Sequence, residues 1–537
     1  MKKTKLVSLV LLLFPLLISC ANNPTPNPGG DTSGGDTTPG GGDNPGGGDS
    51  GGGSSSEDEP ELLEVNITAF NDFHGAILEQ DGSMGLAKIG TYLKRRGAED
   101  NTLTIDQGDD WQGSIYSNFN RGRLVNDVFA YARLSARTVG NHDFDWGIEP
   151  LKNNTARYYD NYQIPVLAAN VYDYDFPTKV EGNTQQIDIG RKSITYTLKN
   201  GLKVGIVGVI GRDQLTSITS LYVQDVCFKD HVQVMKDEAT RLRNEEKCDI
   251  VIGSIHAGRD AVTENNMENY VDLMLTGHAH SYDTYKEGSL NYYRFDANGQ
   301  MLGDIKLTYD KKQKKVVETT LEVIDPSNID AKIGQVDAKI QSIIDEYNSD
   351  CEESANEVLA NGVPYYFDTN VKAPNLMCKA IYDRAISEGY DDIILSFCNE
   401  ARSTINKGTI RYADLYQAFP FDNVVYIAEV SGSDILNEVV NWNCACFNPS
   451  FDGAINRYQT YKIAVLDFLL FHTNTSRYYN YFYSFNGTPL GQLSDNYRVI
   501  LKDWLKDNGY NEGKTINAFD FESTDFDFDK SRIHEAY

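Results

Sequence analysis

The chain has 537 residues, of which 40% are hydrophobic, so it is long and apolar enough to form two or more domains with cores of their own. This composition excludes a purely disordered or fibrous protein. The 49 Lys and Arg residues stand against 77 Asp and Glu residues, and the net charge of −28 argues against binding duplex nucleic acid through a broad basic face. Small anions stay possible ligands, because bound metal ions can reverse the local charge.

The N-terminus has the organisation of a secretory signal. Basic residues precede an apolar run over residues 6–17, which is too short to span a bilayer comfortably. Residues 17–20 read Leu-Ile-Ser-Cys, which resembles a bacterial lipobox. The resemblance implies a lipoprotein signal peptide at residues 1–20, cleavage before Cys20, and lipidation of Cys20. The mature chain would then be attached to the bacterial cell membrane outside the cytoplasm. An ordinary secretory peptide with an incidental cysteine is the alternative.

Residues 21–60 contain little except Gly, Ser, Thr, Pro, Asn, Asp and Glu. No apolar periodicity is present, so we predict a flexible tether over residues 21–64. Its glycines do not form a phosphate-binding loop, because no strand pattern precedes them and no helix pattern follows.

The seven cysteines other than Cys20 have scattered spacing. Cys444 and Cys446 are too close together for a zinc ribbon, and no partner pair accompanies them. We therefore expect most of these cysteines to be buried as small hydrophobic residues, and the sequence assigns no disulfides among them.

Beyond the tether, short apolar runs alternate with helix-like stretches, a pattern typical of an α/β domain with a layered sheet. The predicted strands are residues 65–70, 102–105, 166–169, 203–210, 249–255 and 271–275. The predicted helices include residues 85–96 and 230–246.

Polar clusters follow the predicted strands, and they contain five of the 8 histidines of the chain. Because strand ends meet at one rim of a sheet, such clusters can assemble one polynuclear metal site. The clusters are Asn71-Asp72-Phe73-His74-Gly75, Asp106-Gln107-Gly108-Asp109, Gly140-Asn141-His142-Asp143, Ser254-Ile255-His256-Ala257-Gly258 and Gly277-His278-Ala279-His280.

In this order the clusters resemble the calcineurin-like metallophosphoesterase superfamily. Residues 140–147, Gly-Asn-His-Asp-Phe-Asp-Trp-Gly, resemble its 5′-nucleotidase family, which includes UDP-sugar hydrolases and 2′,3′-cyclic nucleotide phosphodiesterases. The resemblance implies an α/β fold with two domains. A layered β-sandwich metallophosphoesterase domain, flanked by helices, would occupy residues 65–325, and an α/β C-terminal substrate-binding domain would occupy residues 352–537.

The resemblance also implies two divalent cations, and mixed imidazole and carboxylate ligands favour Zn²⁺ or Mn²⁺. The first cation would be held by Asp72, His74, Asp109 and His280. The second would be held by Asp109, Asn141, His256 and His278, and Asn141 would also contact the substrate. Asp109 would therefore bridge the two cations and keep them close enough to act on one phosphate.

His142 has a different role in the family, where it faces the substrate phosphate and stabilises the transition state. Asp145 matches its partner and would orient the imidazole and make it more basic, whereas a carboxylate that caps a helix start is the alternative. The implied reaction is in-line attack of metal-bound hydroxide, without a covalent enzyme intermediate.

Residues 327–347 carry apolar side chains at helical spacing, which predicts a helix. The resemblance implies that a helix within residues 326–351 joins the two domains. Packing against the first domain alone is the alternative.

The second domain resembles the family at residues 402–410 and 419–423. The resemblance places Arg402 against the substrate anion, where a guanidinium can bind phosphate oxygens in pairs; a surface ion pair is the alternative. Two departures affect the substrate assignment. Glu400 stands where the family has glycine, and Phe468 alone is left as a base-stacking candidate. Its partner across the base stays open among Phe447, Phe451 and Tyr458.

Two classes of function are compatible with these features. The first is an extracytoplasmic phosphohydrolase acting on nucleoside monophosphates, nucleotide sugars or cyclic nucleotides. The second is a non-catalytic surface lipoprotein that binds a ligand. The complete ligand set favours the enzyme, since a binding protein does not need a bridging Asp109 or the His142–Asp145 pair. We therefore predict a small-molecule nucleotide as substrate, a membrane contacted through the lipid anchor, and no duplex nucleic acid as partner.

Overall fold

The computed structural model describes residues 61–80, 82–162, 164–173, 185–441, 444–471, 482, 484, 485 and 487–536. The predicted signal peptide, Cys20 and most of the predicted tether lie outside the described residues. Within the described ranges, no helix is both long enough and apolar enough to cross a membrane.

Two six-stranded sheets lie at the centre of the first lobe, which we define as residues 61–325. Its strands are β1 (Leu62–Phe70), β2 (Thr102–Asp106), β3 (Ala136–Thr138), β4 (Val166–Leu167), β5 (Val171–Asp173), β6 (Ser193–Thr197), β7 (Lys203–Ile210), β8 (Val226–Phe228), β9 (Ile250–His256), β10 (Leu273–Thr276), β11 (Asp283–Glu287), β12 (Leu290–Arg294), β13 (Leu302–Asp310) and β14 (Lys315–Ile324). The first sheet has the order β14-β13-β1-β2-β3-β4, and the second has the order β11-β12-β10-β9-β7-β6.

Each sheet contains four parallel strands, β1 to β4 in the first and β7, β9, β10 and β12 in the second. The strands are rich in Ile, Leu and Val because the central ones are covered on both faces. Ile67 and Ile105 of the first sheet are fully buried in one cluster with Ile206 and Ile252 of the second. This cluster is the core of a β-sandwich.

Helices cover the outer faces of the sandwich. The helices as far as residue 355 are α1 (Gly85–Arg96), α2 (Ile115–Asn118), α3 (Arg123–Tyr131), α4 (Ile148–Tyr162), α5 (His231–Asn244), α6 (Ile329–Ile333) and α7 (Ala338–Ala355). Leu86 of α1 and Leu124 of α3 pack on the first sheet, whereas Met235 and Leu242 of α5 pack on the second. The layered α/β sandwich predicted for this part of the chain is confirmed.

Most predicted elements agree with the structure to within three residues. The strand 203–210 and the helix 85–96 coincide with β7 and α1, while the predicted strand 166–169 is shortened to the two residues of β4. The sequence did not predict β3, because its three residues have the charged Arg137 at their centre.

Residues 327–347 form two helices instead of the single predicted one. α6 ends at Ile333 and is followed by Gly334, whose φ of +68° lies in the left-handed region that favours glycine. α7 begins after Asp337, whose carboxylate accepts hydrogen bonds from the N–H groups of Lys339 and Ile340. Apolar periodicity continues across this break, so it alone could not reveal the two ends.

Both lobes belong to one compact unit, Pro60–Tyr537, and two segments contribute to both cores. Ile340 and Ile344 of α7 pack in the core of the first lobe, whereas Ala355 at its end packs in that of the second. Ile115 of α2 is buried in the core of the second lobe, although it lies in the first lobe's sequence.

The second lobe, residues 356–536, contains a five-stranded sheet with α8 packed on it. Its elements are β15 (Val358–Val363), α8 (Lys372–Ser387), β16 (Leu395–Cys398), β17 (Gly408–Arg411), α9 (Tyr412–Ala418), β18 (Val424–Ser431), α10 (Gly432–Asn441), β19 (Cys444–Phe447), β20 (Ala454–Ile455), β21 (Thr460–Leu466), α11 (Asp467–Leu470), β22 (Gly491–Asn496), α12 (Tyr497–Asp507) and β23 (His534–Glu535). The sheet order is β19-β16-β21-β18-β22. The predicted α/β class of this lobe is confirmed.

The described cysteines fit the expectation from their spacing. Five are thiols buried in the protein interior, and Cys227 is a half-buried thiol. The buried ones are Cys248, Cys351, Cys378, Cys398 and Cys446.

Candidate active site

Each of the seven predicted metal ligands lies at the end of a parallel strand or in the loop that follows it. β1 precedes Asp72 and His74, β2 precedes Asp109, β3 precedes Asn141, β9 ends at His256, and β10 precedes His278 and His280. Across the sandwich, Thr138 Oγ1 of β3 and Ser254 Oγ of β9 are 2.6 Å apart. The loops of the two sheets therefore meet at one rim.

The backbone of the ligand loops is strained. Five of the seven ligands have positive φ: Asp72 (51°), His74 (49°), Asp109 (62°), His278 (67°) and His280 (52°). For residues with a Cβ this conformation costs on the order of 1–3 kcal/mol each, and it persists only where the surroundings impose it. Such a concentration of strain at converging polar side chains indicates a functional site.

The first group of ligands consists of Asp72, His74 and His280. Nε2 of His74 lies 3.0 Å from Nε2 of His280, and Asp72 Oδ1 lies 3.4 Å from the His280 nitrogen. His74 Nδ1 donates a hydrogen bond to the Gln112 carbonyl at 2.9 Å, which leaves the lone pair on its Nε2. Asp72 Oδ1 is buried and accepts no hydrogen bond within the described part of the chain.

The second group consists of Asp109, His256 and His278, with the Asn141 amide between them. His256 Nε2 lies 3.0 Å from Asp109 Oδ2 and 3.0 Å from Asn141 Oδ1, and His278 Nδ1 lies 3.0 Å from the same amide oxygen. His256 Nδ1 donates to the Gln107 carbonyl at 2.7 Å, as metal-binding histidines commonly do. Apart from its contact with His256, Asp109 Oδ2 has no hydrogen-bond partner among the described residues.

The close approach of two loops around Asp109 requires glycine at position 140. A Cβ there would collide with the Asp109 carboxylate. Asp109 Oδ1 instead accepts a hydrogen bond from the His142 N–H at 2.8 Å. The loop that carries Asn141 therefore packs directly on the carboxylate of the second group.

The protonation of the two groups suits metal binding. Burial and the neighbouring His280 lower the pKa of His74 to about 3, and burial and His256 lower that of His278 to about 4. Burial opposes ionisation of Asp109, but His256 and His142 hold its pKa well below the usual range. Burial disfavours the charged His256 ring, but Asp109 raises its pKa to about 9. His256 would have to lose this proton to act as a ligand of a cation held by Asp109.

The two groups fit a pair of divalent cations. Their donors are imidazole nitrogens, carboxylate oxygens and one amide oxygen, and two of the carboxylate oxygens have no other partner among the residues that the structure describes. Mixed nitrogen and oxygen ligands suit Zn²⁺ and Mn²⁺ better than Ca²⁺. Asp109 falls in the second group, and its bridging role stays a prediction.

His142 lies beside these groups, but its contacts differ from those of the ligands. Its Nδ1 donates to Asp145 Oδ2 at 2.9 Å, and its ring stacks on Phe421 of the second lobe with centroids 5.3 Å apart. Burial disfavours the charged ring, yet Asp145 and Asp109 raise the pKa of His142 above its ordinary value. The structure thus pairs His142 with Asp145 as predicted and turns it toward the second lobe.

A cleft lies between the lobes at this position. It brings Arg402 and Phe468, both predicted substrate contacts, to the same space as the His142–Asp145 pair. The complete lining is His142, Asp145, Ser217, Thr219, Tyr222, Asn399, Arg402, Phe421, Asp422, Asn423 and Phe468. Arg402 is exposed, and its guanidinium lies 5.1 Å from the centre of the Phe421 ring.

Phe421 is the aromatic residue that sequence reasoning missed. The three candidates for the partner of Phe468 do not line the cleft: Phe447 is buried in the core, Phe451 packs against that core, and Tyr458 is 90% exposed. Phe421 lies in the cleft with Phe468. The motif at residues 419–423 contains it and was the available signal. Glu400 is exposed and does not line the cleft. Its negative charge therefore repels an anionic substrate in the cleft less than its position two residues before Arg402 suggested.

The loop that carries Phe421 is held from both lobes. The buried Arg498 donates to the carbonyls of Phe419 and Phe421 at 2.7 and 2.6 Å. From the first lobe, the Gln112 side chain donates to the Pro420 carbonyl at 2.7 Å. The carbonyl of the same Gln112 orients His74, so one residue contacts both the cleft loop and a ligand.

Two family models match the chain. Residues 65–282 match the calcineurin-like phosphoesterases, and residues 365–515 match the 5′-nucleotidase C-terminal domain. Together the two matches span more than half of the chain. The chain therefore belongs to the metallophosphoesterases of the 5′-nucleotidase family.

Known proteins resemble the chain over most of its length. An apyrase of Tabanus yao is 24% identical over 422 residues, which are 69% of this chain and 72% of that protein. A 5′-nucleotidase of Diplobatis ommata is 24% identical over 443 residues, 74% of this chain and 71% of that protein. The crystal structure of a 5′-nucleotidase precursor from Thermus thermophilus has the same fold, with a TM-score of 0.66 and 17% identity over 84% of this chain and 97% of that chain.

Proposed function

We propose that the chain is a phosphohydrolase that uses two divalent cations to cleave phosphate esters of nucleotides outside the cytoplasm. The observation that carries the proposal is that His142 contacts both groups of metal ligands, through Asp109 and His74, and also lines, with Asp145, a cleft that contains Arg402, Phe421 and Phe468. A binding protein would need the aromatic residues of this cleft, but it would not need two groups of metal ligands.

The metal ligands would hold the two cations, which supply a polarised phosphoryl group and an activated water when they are bound. The chain's own residues would do the rest. Asp145 keeps the His142 ring oriented, and the raised pKa of His142 favours an imidazolium whose Nε2–H can donate to a phosphate oxygen. Arg402 would add a second donor and a positive charge from the other lobe.

Recognition of the nucleoside would fall to the second lobe. Phe421 and Phe468 both line the cleft, and aromatic rings bind nucleobases by stacking with little preference among them. The side chain of Asn423 also lines the cleft and donates to Asp467 Oδ1 at 2.6 Å. These residues would bind the part of the substrate that does not react.

A substrate panel tests the proposal. Protein purified without residues 1–60, freed of metal and reconstituted with Mn²⁺ or Zn²⁺, is given AMP, UDP-glucose, 2′,3′-cyclic AMP and an aryl phosphate. We expect metal-dependent release of phosphate or nucleotide product with kcat/KM higher for a nucleotide than for the aryl phosphate. The pattern separates a nucleotidase from a nucleotide-sugar hydrolase or a cyclic phosphodiesterase. No turnover of any substrate by protein that carries two cations would favour the non-catalytic lipoprotein.

Replacing Phe468 should separate recognition from chemistry. In Phe468→Ala the loss of one stacking ring should lower kcat/KM for nucleotides by roughly 1–3 kcal/mol, or about one to two decades, and leave aryl phosphate hydrolysis nearly unchanged. Phe421→Ala should lower hydrolysis of both substrates, because the Phe421 ring also stacks on His142. Tyr458→Ala is the matched control, because this exposed aromatic ring lies outside the cleft. Equal losses on both substrates in Phe468→Ala would mean that Phe468 is structural.

Arg402→Ala should give a different pattern. Because Arg402 is assigned to the anionic group and not to the base, we expect similar losses on nucleotides and on the aryl phosphate. A loss confined to nucleotides would reassign Arg402 to the nucleoside.

Attachment to the membrane is part of the proposal, and it rests on the lipobox at residues 17–20. Cys20→Ser should abolish incorporation of a labelled fatty acid, because a hydroxyl does not replace the modified thiol. The mutant should be recovered as uncleaved precursor or as protein released from the membrane. Equal labelling of mutant and natural protein would refute lipidation at Cys20.

A further inference from the structure

A buried arginine contacts the loops that carry two of the metal ligands. It belongs to none of the sequence motifs and has no role in the proposed chemistry. Arg137 is at the centre of β3 and is 0% exposed. Its Nε lies 2.7 Å from Asp110 Oδ2 and 3.3 Å from Asp106 Oδ2, and its Nη2 lies 2.5 Å from Asp143 Oδ1. The guanidinium also lies over the Trp111 ring, 4.1 Å from its centroid.

These carboxylates lie in, or directly before, the two loops that carry Asp109 and Asn141. Asp110 directly follows Asp109, and Asp143 follows Asn141 by two residues. Each loop is also fixed from within, since Asp143 Oδ2 accepts from the Gly140 N–H at 2.7 Å and Asp106 Oδ1 accepts from the Gly108 N–H at 3.0 Å. One guanidinium therefore joins both loops through their acidic side chains.

We propose that Arg137 is a positioning residue for the metal site, which fixes the loops of Asp109 and Asn141 and turns Asp110 and Asp143 away from the cations. This inference rests on the two-cation site proposed above. Asp110 and Asp143 are oxygen donors close to the assigned ligands along the chain, and both are buried. Their carboxylates contact Arg137 instead, so they are held out of the ligand set.

The cost of removing Arg137 follows from its surroundings. Without the Arg137 guanidinium, the buried carboxylates would be strongly destabilising. The loops would therefore rearrange until these carboxylates contact water or a metal ion. Either rearrangement moves Asp109 or Asn141. Residues that support metal ligands in this way typically change metal affinity or activity by roughly 10–100-fold when they are replaced.

The test measures metal affinity and needs no substrate. Metal-free natural protein, Arg137→Met and Arg137→Lys are titrated with Mn²⁺ in competition with a chelator, and the bound metal is counted by elemental analysis. We expect Arg137→Met to bind Mn²⁺ roughly 10–100-fold more weakly and Arg137→Lys to recover part of the loss, because an ammonium keeps the charge but not the forked geometry. Arg243→Met is the matched control. It removes the ion pair between Arg243 of α5 and Asp272, which directly precedes β10 at the end of that strand opposite His278, and should leave Mn²⁺ affinity unchanged.

The outcomes are distinguishable. Two Mn²⁺ ions bound by Arg137→Met with natural affinity would overturn the role of Arg137 and leave the proposed function intact. Fewer than two ions in the natural protein would overturn both. If Arg137→Met does not fold, Mn²⁺ binding is measured with Asp143→Asn instead. This variant removes one carboxylate charge that contacts Arg137 but keeps the shape of the side chain. Weaker Mn²⁺ binding by folded Asp143→Asn supports the inference, and natural affinity refutes it.

Discussion

Asp109→Ala is expected to abolish metal-dependent hydrolysis and to remove both cations. The Asp109 carboxylate lies 3.0 Å from His256 and is predicted to bridge the two cations, so alanine would deprive both of one ligand. It would also leave the His142 N–H without its acceptor. We expect a loss of at least about three decades in kcat/KM.

Elemental analysis of the purified mutant checks the prediction directly. Asp310→Ala is a suitable control. Asp310 is also buried, but it pairs with Leu62 at the start of β1, whereas Asp72 follows the other end of that strand. The control should keep both cations and its activity. Loss of a single cation from Asp109→Ala would show that Asp109 belongs to the second group alone.

Unlike Asp109→Ala, His142→Ala should retain both cations. The ring lies outside both ligand groups, so we expect both cations to stay bound while kcat falls by roughly 10²–10⁴. Asp145→Asn should give a smaller loss, because the imidazole stays in place but its Nδ1 hydrogen bond loses a charged acceptor.

Three measurements on the same preparations test the second prediction: metal content, kcat and KM. A fall in kcat without loss of metal would support the role of His142 in the transition state. Metal loss from His142→Ala would instead make His142 a ligand or a support for Asn141. Natural kcat in Asp145→Asn would refute the pairing as a functional unit, and Asp145 would then be a local structural carboxylate.

The convergence of the ligands could be predicted from the sequence because parallel strands end at one rim. His256 and His278 follow strongly apolar strands, which the pattern revealed, and the structure brings them within 3.0 Å of the same Asn141 oxygen. The pairing of His142 with Asp145 was predictable for a similar reason, since both residues lie in one short motif.

Other features of the site leave no readable signal in one sequence. Asp72 and His280 have positive φ, which the surrounding structure imposes. The residue type alone does not predict this backbone conformation at these two positions. The carbonyls of Gln107 and Gln112 that orient two histidines are backbone atoms, which any residue would supply. The motif at residues 419–423 indicated the segment that contains Phe421, but the contact of its ring with His142 depends on the packing of the two lobes.

The burial of Ile115 in the second lobe makes the two lobes one cooperative unit. Separating them would expose this side chain, and full exposure of an Ile side chain costs about 1.5–3 kcal/mol. It would also break the hydrogen bonds from Gln112 and Asn118 to the Pro420 carbonyl. The two lobes that form the cleft are therefore held together by a buried side chain and by hydrogen bonds. The contacts that hold the second lobe in place include the Gln112 side chain, and the carbonyl of Gln112 orients His74, so separation of the lobes would also disturb a metal ligand.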